Sequence, residues 1–153
     1  MAKRIVDEGH EIGNHAFTHP QMSKLTKDRI DEEIRKTEEI IYLTTKRKST
    51  YFTPPSGDYD QRVVDIATKY KLRTVLWTLD TIDWQEPTPD MVMQRIIPKI
   101  DNGYLVLMHP TSPTADSLPK LIQEIKRKGL KIGPIQETLS SKRIIPVEPL
   151  DKF

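Results

Sequence analysis

The run from Arg73 to Leu79, R-T-V-L-W-T-L, constrains the fold more than any other stretch of the chain. After Arg73 it carries no charge, and its apolar residues show no helical period. It reads as a strand buried on both faces, and such strands belong to parallel sheets covered by helices. The surrounding pattern agrees. Strand candidates at 11–14, 50–52, 104–108 and 131–132 alternate with helix candidates. The first helix runs over 26–44, capped by Thr26, with Ile30, Ile34, Ile40, Ile41 and Leu43 as its apolar positions. The second is capped by Asp58 or Asp60 and runs to Tyr70, with Val63, Val64, Ile66 and Ala67 inward. The third spans 90–100 and breaks near Pro98. The fourth spans 114–128 and closes at Gly129. Strand–helix alternation of this kind argues an α/β fold, a parallel sheet or barrel. Lys3 to Gly9 reads as the last turns of a helix, so the chain is expected to open inside an element, as if earlier ones were missing.

Composition closes off several function classes. The 153 residues are 36% hydrophobic and 30% charged, as expected of a globular domain, with a net charge of only +2. That small excess is no basic face, so nucleic acid is not an expected partner. The charge run Lys46-Arg47-Lys48 reads as a solvated corner. There is no cysteine, so any metal site must be built from histidine and carboxylate. No apolar run is long enough to span a membrane, and no signal-peptide pattern is present.

The polar residues of interest fall just after strand ends, the edge at which α/β barrels place their chemistry. His15 and His19 follow the first strand at a spacing of four and are followed at once by Pro20. Two imidazoles so spaced can reach one metal ion. Thr53-Pro54-Pro55-Ser56-Gly57 follows the second strand, and its double proline stiffens the loop. Asp80-Thr81-Ile82-Asp83-Trp84 follows the third, with Asp80 readable either as a turn cap or as a catalytic partner. His109 ends the fourth. Trp77, within its strand, reads as core.

Taken together these segments resemble the polysaccharide deacetylase family, the NodB-homology domain of carbohydrate esterases. His15-Ala16-Phe17-Thr18-His19-Pro20 is similar to that family's H-S/T-x-x-H-P motif, with Ala16 as a departure. Phe52 to Gly57 is similar to its R-x-P-P-x-G motif, with Thr53 near the place of the arginine. Asp80, Asp83 and Trp84 match D-x-x-D-W, and Leu107-Met108-His109 matches the closing L-x-H. The resemblance covers Val6 to Leu139 and implies a domain over 1–139 with a tail at 140–153. The implied fold is a partial, distorted β/α barrel with parallel strands that lacks about its first two. The family's first motif, T-F-D-D, has no match in this sequence.

The resemblance implies a hydrolase that removes N-acetyl groups from amino-sugar polymers such as peptidoglycan or chitin-like N-acetylglucosamine chains. His15 and His19 would be ligands of a divalent metal, most often zinc, whose third family ligand, an aspartate, is not in this chain. His109 would be the general acid, oriented by Asp83 or Asp80. The Ser56 N–H, fixed by Pro55, would help stabilise the oxyanion, and Trp84 and Leu107 would form apolar walls for a sugar. Action outside the cell or in its envelope follows from the same resemblance. Two rival readings stand beside it. One is a non-catalytic relative that binds glycan, favoured by the absent first motif and by Thr53. The other is a different amidohydrolase on a related barrel. A barrel short of two strands exposes sheet edges, and self-association through them is expected.

Overall fold

A computed structural model of the chain describes residues 1–139. The expected tail at 140–153 lies outside the described residues. The chain divides into two compact units after Leu76, and each unit has its own buried cluster.

In the first unit α1 (Ala2–Asp7) ends at Gly9, whose φ of +86° suits a residue without a β-carbon. The long helix α2 (Lys27–Thr45) opens at Thr26, whose hydroxyl accepts the Arg29 N–H. Its buried stripe is Ile30, Ile34 and Ile41. Ile40 and Leu43, expected among its apolar positions, are 48% and 68% exposed. At 100° per residue they fall off that stripe. Strand β1 (Tyr51–Phe52) pairs in parallel with β2 (Arg73–Thr74), Tyr51 opposite Arg73. The strand expected at 11–14 is reduced to a single parallel bridge between Asn14 and Phe52. There the chain passes so close that a β-carbon on Gly13 would stand 3.3 Å from the Tyr51 carbonyl oxygen. Helix α3 (Gln61–Lys69) is capped by Asp60, whose carboxylate accepts the Arg62 and Val63 N–H groups. Asp58, the other capping candidate, binds the Ser23 N–H and hydroxyl instead. Met22, Ile30, Ile34, Phe52, Val63, Ala67 and Leu72 form the core of this unit. Burial of each large side chain there contributes about 1.5–3 kcal/mol.

In the second unit β3 (Leu79–Asp80) pairs in parallel with β4 (Val106–Leu107). Helix α4 (Pro89–Ile96) is capped by the Thr88 hydroxyl and stops short of Pro98. Pro98 has no backbone N–H to continue the helical hydrogen bonding. Helix α5 (Ser112–Arg127) is capped by the Thr111 hydroxyl, two residues earlier than the spacing suggested, and contains Pro119. A short α6 (Ile135–Thr138) follows. Helices α4 and α5 pack together, and Leu79, Met93, Ile96, Ile100, Leu121 and Ile125 fill the core.

Three further sequence expectations need correction. Arg73–Leu79 is not one strand buried on both faces. Its burial alternates, Val75, Trp77 and Leu79 being buried and Leu76 and Thr78 half-buried. Its backbone also changes partner, the Val75 N–H donating to the Phe52 carbonyl and the Thr78 and Leu79 N–H groups to that of Leu105. The strand expected at 104–108 is regular only at Val106–Leu107. Lys131 and Ile132 form no strand; both are exposed, and Ile132 buries too little surface to anchor one. The parallel pairing implied by the strand–helix order is present in both sheets.

Candidate functional site

The first unit carries His15 and His19 on a loop under unusual local constraint. Ala16 and His19 have φ values of +61° and +56°. Residues with a β-carbon held in that left-handed region cost about 1–3 kcal/mol each and persist only where their surroundings enforce it. Two buried polar side chains supply the enforcement. The Asn14 amide donates to the Ile34 carbonyl and the Glu38 carboxylate, 2.9 Å each, while its oxygen accepts the Ala16 N–H at 3.0 Å. Glu33 reaches the loop from α2. One of its oxygens accepts the Phe17 and Thr18 N–H groups at 2.9 and 2.7 Å; the other accepts the Thr18 hydroxyl at 2.7 Å and Arg29 at 2.9 Å. Burial pushes the Glu33 carboxyl up, but the Thr18 and Phe17 hydrogen bonds and the Arg29 charge outweigh it and hold the group below the usual range.

Held in this way, the His15 and His19 rings meet edge to face with centroids 5.0 Å apart. The His15 Nδ1 lies 2.7 Å from the Thr53 carbonyl oxygen. A carbonyl only accepts, so Nδ1 carries the hydrogen and, in the neutral ring, Nε2 carries the lone pair. Fixing one ring nitrogen against a backbone carbonyl is how metal-binding histidines are commonly oriented. The pair therefore fits a divalent ion of borderline softness, zinc first among them, as two nitrogen donors. Among the described residues no group of three His, Cys, Asp or Glu side chains is placed to hold a metal ion, so further ligands would come from elsewhere.

The proline-rich loop is tied to the same segment. The Thr53 N–H donates to the Asn14 carbonyl at 2.9 Å, so Thr53 grips the histidine loop at both of its backbone polar groups. Pro54 and Pro55 are buried, and Ser56 is exposed with φ +53°.

In the second unit the sequence candidates separate into two groups. Asp83, fully buried, accepts the His109 backbone N–H and the His109 Nδ1–H, each at 2.7 Å. Thr111 and Thr114 hydroxyls donate to the same carboxylate. Asp80 is not part of this group: its carboxylate accepts the Ile82 N–H at 2.8 Å, shaping the turn. Trp84 is 46% exposed between Ile82 and Glu86, both left-handed at φ +52° and +54°. Leu107 is half-buried, its carbonyl accepting the Thr81 N–H and hydroxyl. Trp77 is buried, as its place in the sequence suggested.

Burial pushes the Asp83 carboxyl up, but hydrogen bonds from Thr114 and His109 more than offset it and bring the group from 3.8 down to about 2. A depressed carboxyl contributes stability that is present above its unfolded value and lost as pH falls through its folded one. We expect chemical-denaturation stability to hold down to about pH 4 and then to fall by about 2 kcal/mol towards pH 2. Glu33 is depressed too and acts in the same direction. Asp83→Asn should flatten most of this loss; an unchanged acid limb would remove Asp83 as its source.

Comparison with known proteins bears on the family. The family model for polysaccharide deacetylases matches residues 1–75. A solved family 4 carbohydrate esterase from Streptomyces lividans is 31% identical, with a TM-score of 0.82 over 86% of this chain and 69% of that one. The chain belongs to the polysaccharide deacetylase family. The Bacillus subtilis protein YlxY is 49% identical over 95% of this chain and 46% of its own length. The peptidoglycan-N-acetylglucosamine deacetylase of Bacillus cereus is 32% identical over 86% of this chain and 50% of its own length. A pseudoenzyme of carbohydrate esterase family 4 from Bacillus anthracis is 45% identical, with a TM-score of 0.88, over 91% of this chain and 50% of that one. A mutant of it described as having restored enzymatic activity is equally similar. This chain thus spans about half the length of the curated relatives it matches first.

Glu33, Thr111 and Thr114 also touch these groups, and none of the motifs marks them. A signal for two of them was present. Glu33 lies three residues beyond Ile30 on the apolar stripe of α2, and Thr114 lies seven before Leu121 on that of α5. A polar residue on a buried helix face needs partners to stay there.

Proposed function

We propose that this segment belongs to a metal-dependent carbohydrate N-deacetylase that acts on N-acetyl amino-sugar polymers, peptidoglycan first among them, in the cell envelope or outside the cell. The observation that carries the proposal is the Asp83–His109 pair. A buried carboxylate holding Nδ1–H leaves Nε2 to exchange a proton with substrate, as cleavage of an amide to a free amine requires. Peptidoglycan deacetylases among the relatives support the substrate class, and the family's barrel would be the frame for residues 1–139.

An N-acetyl amide is a poor electrophile. A divalent metal, when bound, supplies Lewis-acid polarisation of the acyl carbonyl. In this reading His15 and His19 hold that metal, and Thr53 orients His15 through its carbonyl. His109 delivers a proton to the departing amine, and Asp83 fixes its tautomer. The Ser56 N–H, on the loop stiffened by Pro55, donates to the developing oxyanion. Trp84 and Leu107 present apolar surface to a sugar face, and Asp80 shapes the turn that carries Trp84.

A second reading is a glycan-binding relative without turnover. It is favoured by Thr53 standing near the place of the family's arginine and by the 45% identity to a pseudoenzyme. Acetate release from N-acetylglucosamine oligomers and from peptidoglycan, measured on the full natural polypeptide carrying this segment, separates the two. Turnover that falls by about 10²–10⁴-fold in His109→Ala supports the first reading. Oligomer binding without acetate release establishes the second. Acetate release from simple amides but not from acetylated sugars would point to another amidohydrolase activity.

A further inference from the structure

Glu33 is only 1% exposed, yet the chemistry above gives it no part. Apart from its ion pair with Arg29, its side-chain hydrogen bonds run to the middle of the histidine loop, at Phe17 and Thr18. Those two residues lie between Ala16 and His19, the loop positions that occupy the left-handed region. We propose that Glu33 is a positioning residue for a metal-donor pair, acting through the Phe17 and Thr18 amides to hold the His15 and His19 rings together. The proposal rests on the metal reading of those two histidines.

The geometry explains why a carboxylate is needed. Two adjacent N–H groups converge on one oxygen while the Thr18 hydroxyl and the Arg29 guanidinium donate to the other. That is four donors and no acceptor, a set that an ionised carboxylate satisfies and a carboxamide, with one acceptor oxygen, does not. Without that grip Asn14 still holds the Ala16 N–H, but the segment from Phe17 to His19 loses the contacts that keep His19 in an unfavourable conformation. The rings would then separate, whereas the apolar stripe of α2 keeps its packing.

The test is zinc titration by calorimetry on the full natural chain, wild type against Glu33→Gln and Thr18→Val. Melting curves and the NMR contact between the two imidazoles are recorded without metal. Zinc affinity should fall by about 10–100-fold in Glu33→Gln, the range seen when outer partners of metal ligands are changed. Thr18→Val, which removes one donor at an exposed position, should weaken zinc less than Glu33→Gln does. The His15–His19 ring contact should be lost in metal-free Glu33→Gln. A wild type that binds no zinc overturns the metal reading itself. A wild type that binds, with a folded Glu33→Gln within twofold of it and the ring contact intact, overturns only the role of Glu33. If Glu33→Gln does not fold, Thr18→Val decides, and unchanged zinc affinity there overturns the proposal.

Discussion

Replacing Asp83 by alanine should lower the unfolding free energy by about 3–5 kcal/mol, the usual cost of breaking a buried ionic cluster from one side. The reason lies in what is left behind. Four groups donate to that carboxylate: the backbone and ring N–H of His109 and the hydroxyls of Thr111 and Thr114. Alanine offers none of them an acceptor, and each unmet buried donor costs about 1–3 kcal/mol. Water can reach His109 in part, which keeps the total below the simple sum. Both tryptophans, Trp77 and Trp84, lie in the second unit, so urea unfolding followed by their fluorescence reports on the unit that changes. A loss under 1 kcal/mol would mean that the donors find other partners and that the cluster holds little together.

The second large effect concerns His15. His15→Ala should remove most zinc affinity, by more than the about 10–100-fold that outer-shell changes cost, because one of two nitrogen donors is gone. Stability should change little, since the ring is exposed and hydrogen-bonds to the Thr53 carbonyl. Zinc content measured by mass spectrometry on dialysed protein checks this, and an unchanged metal-to-protein ratio would end the ligand assignment. Removing bound metal with a chelator should likewise leave the fold of the first unit in place, because its core of Ile30, Ile34, Phe52 and Val63 contains no ligand.

The sequence made the helices legible because their ends are local chemistry. Thr26 caps its helix as expected, and Asp60 was one of two candidates named. Strands were harder. Arg73–Leu79 looks continuous because hydrophobicity is a property of the run, while the change of partner from Phe52 to Leu105 depends on residues far away in the chain. The histidine pair could be proposed from its spacing, and His109 as an acid oriented by Asp83 or Asp80 only from the family resemblance. Which aspartate serves His109 could not, because Asp80 and Asp83 follow the same strand, and the choice turns on the His109 N–H and the Thr114 hydroxyl meeting one of them. Glu33 went unread for a similar reason: its meaning depends on the loop it grips, fifteen residues upstream.

The two buried clusters have a consequence for descent. His15 and His19 are held by a unit with its own hydrophobic centre, and Asp83 and His109 by another. If the proposed roles hold, mutations at His109 need not loosen the His15–His19 pair, and changes around Thr53 need not disturb the Asp83–His109 pair. Under that reading a lineage could lose turnover while keeping ligand capture, and regain it without rebuilding a scaffold. Catalytic decay and structural decay are separable heritable events in a chain built in this way.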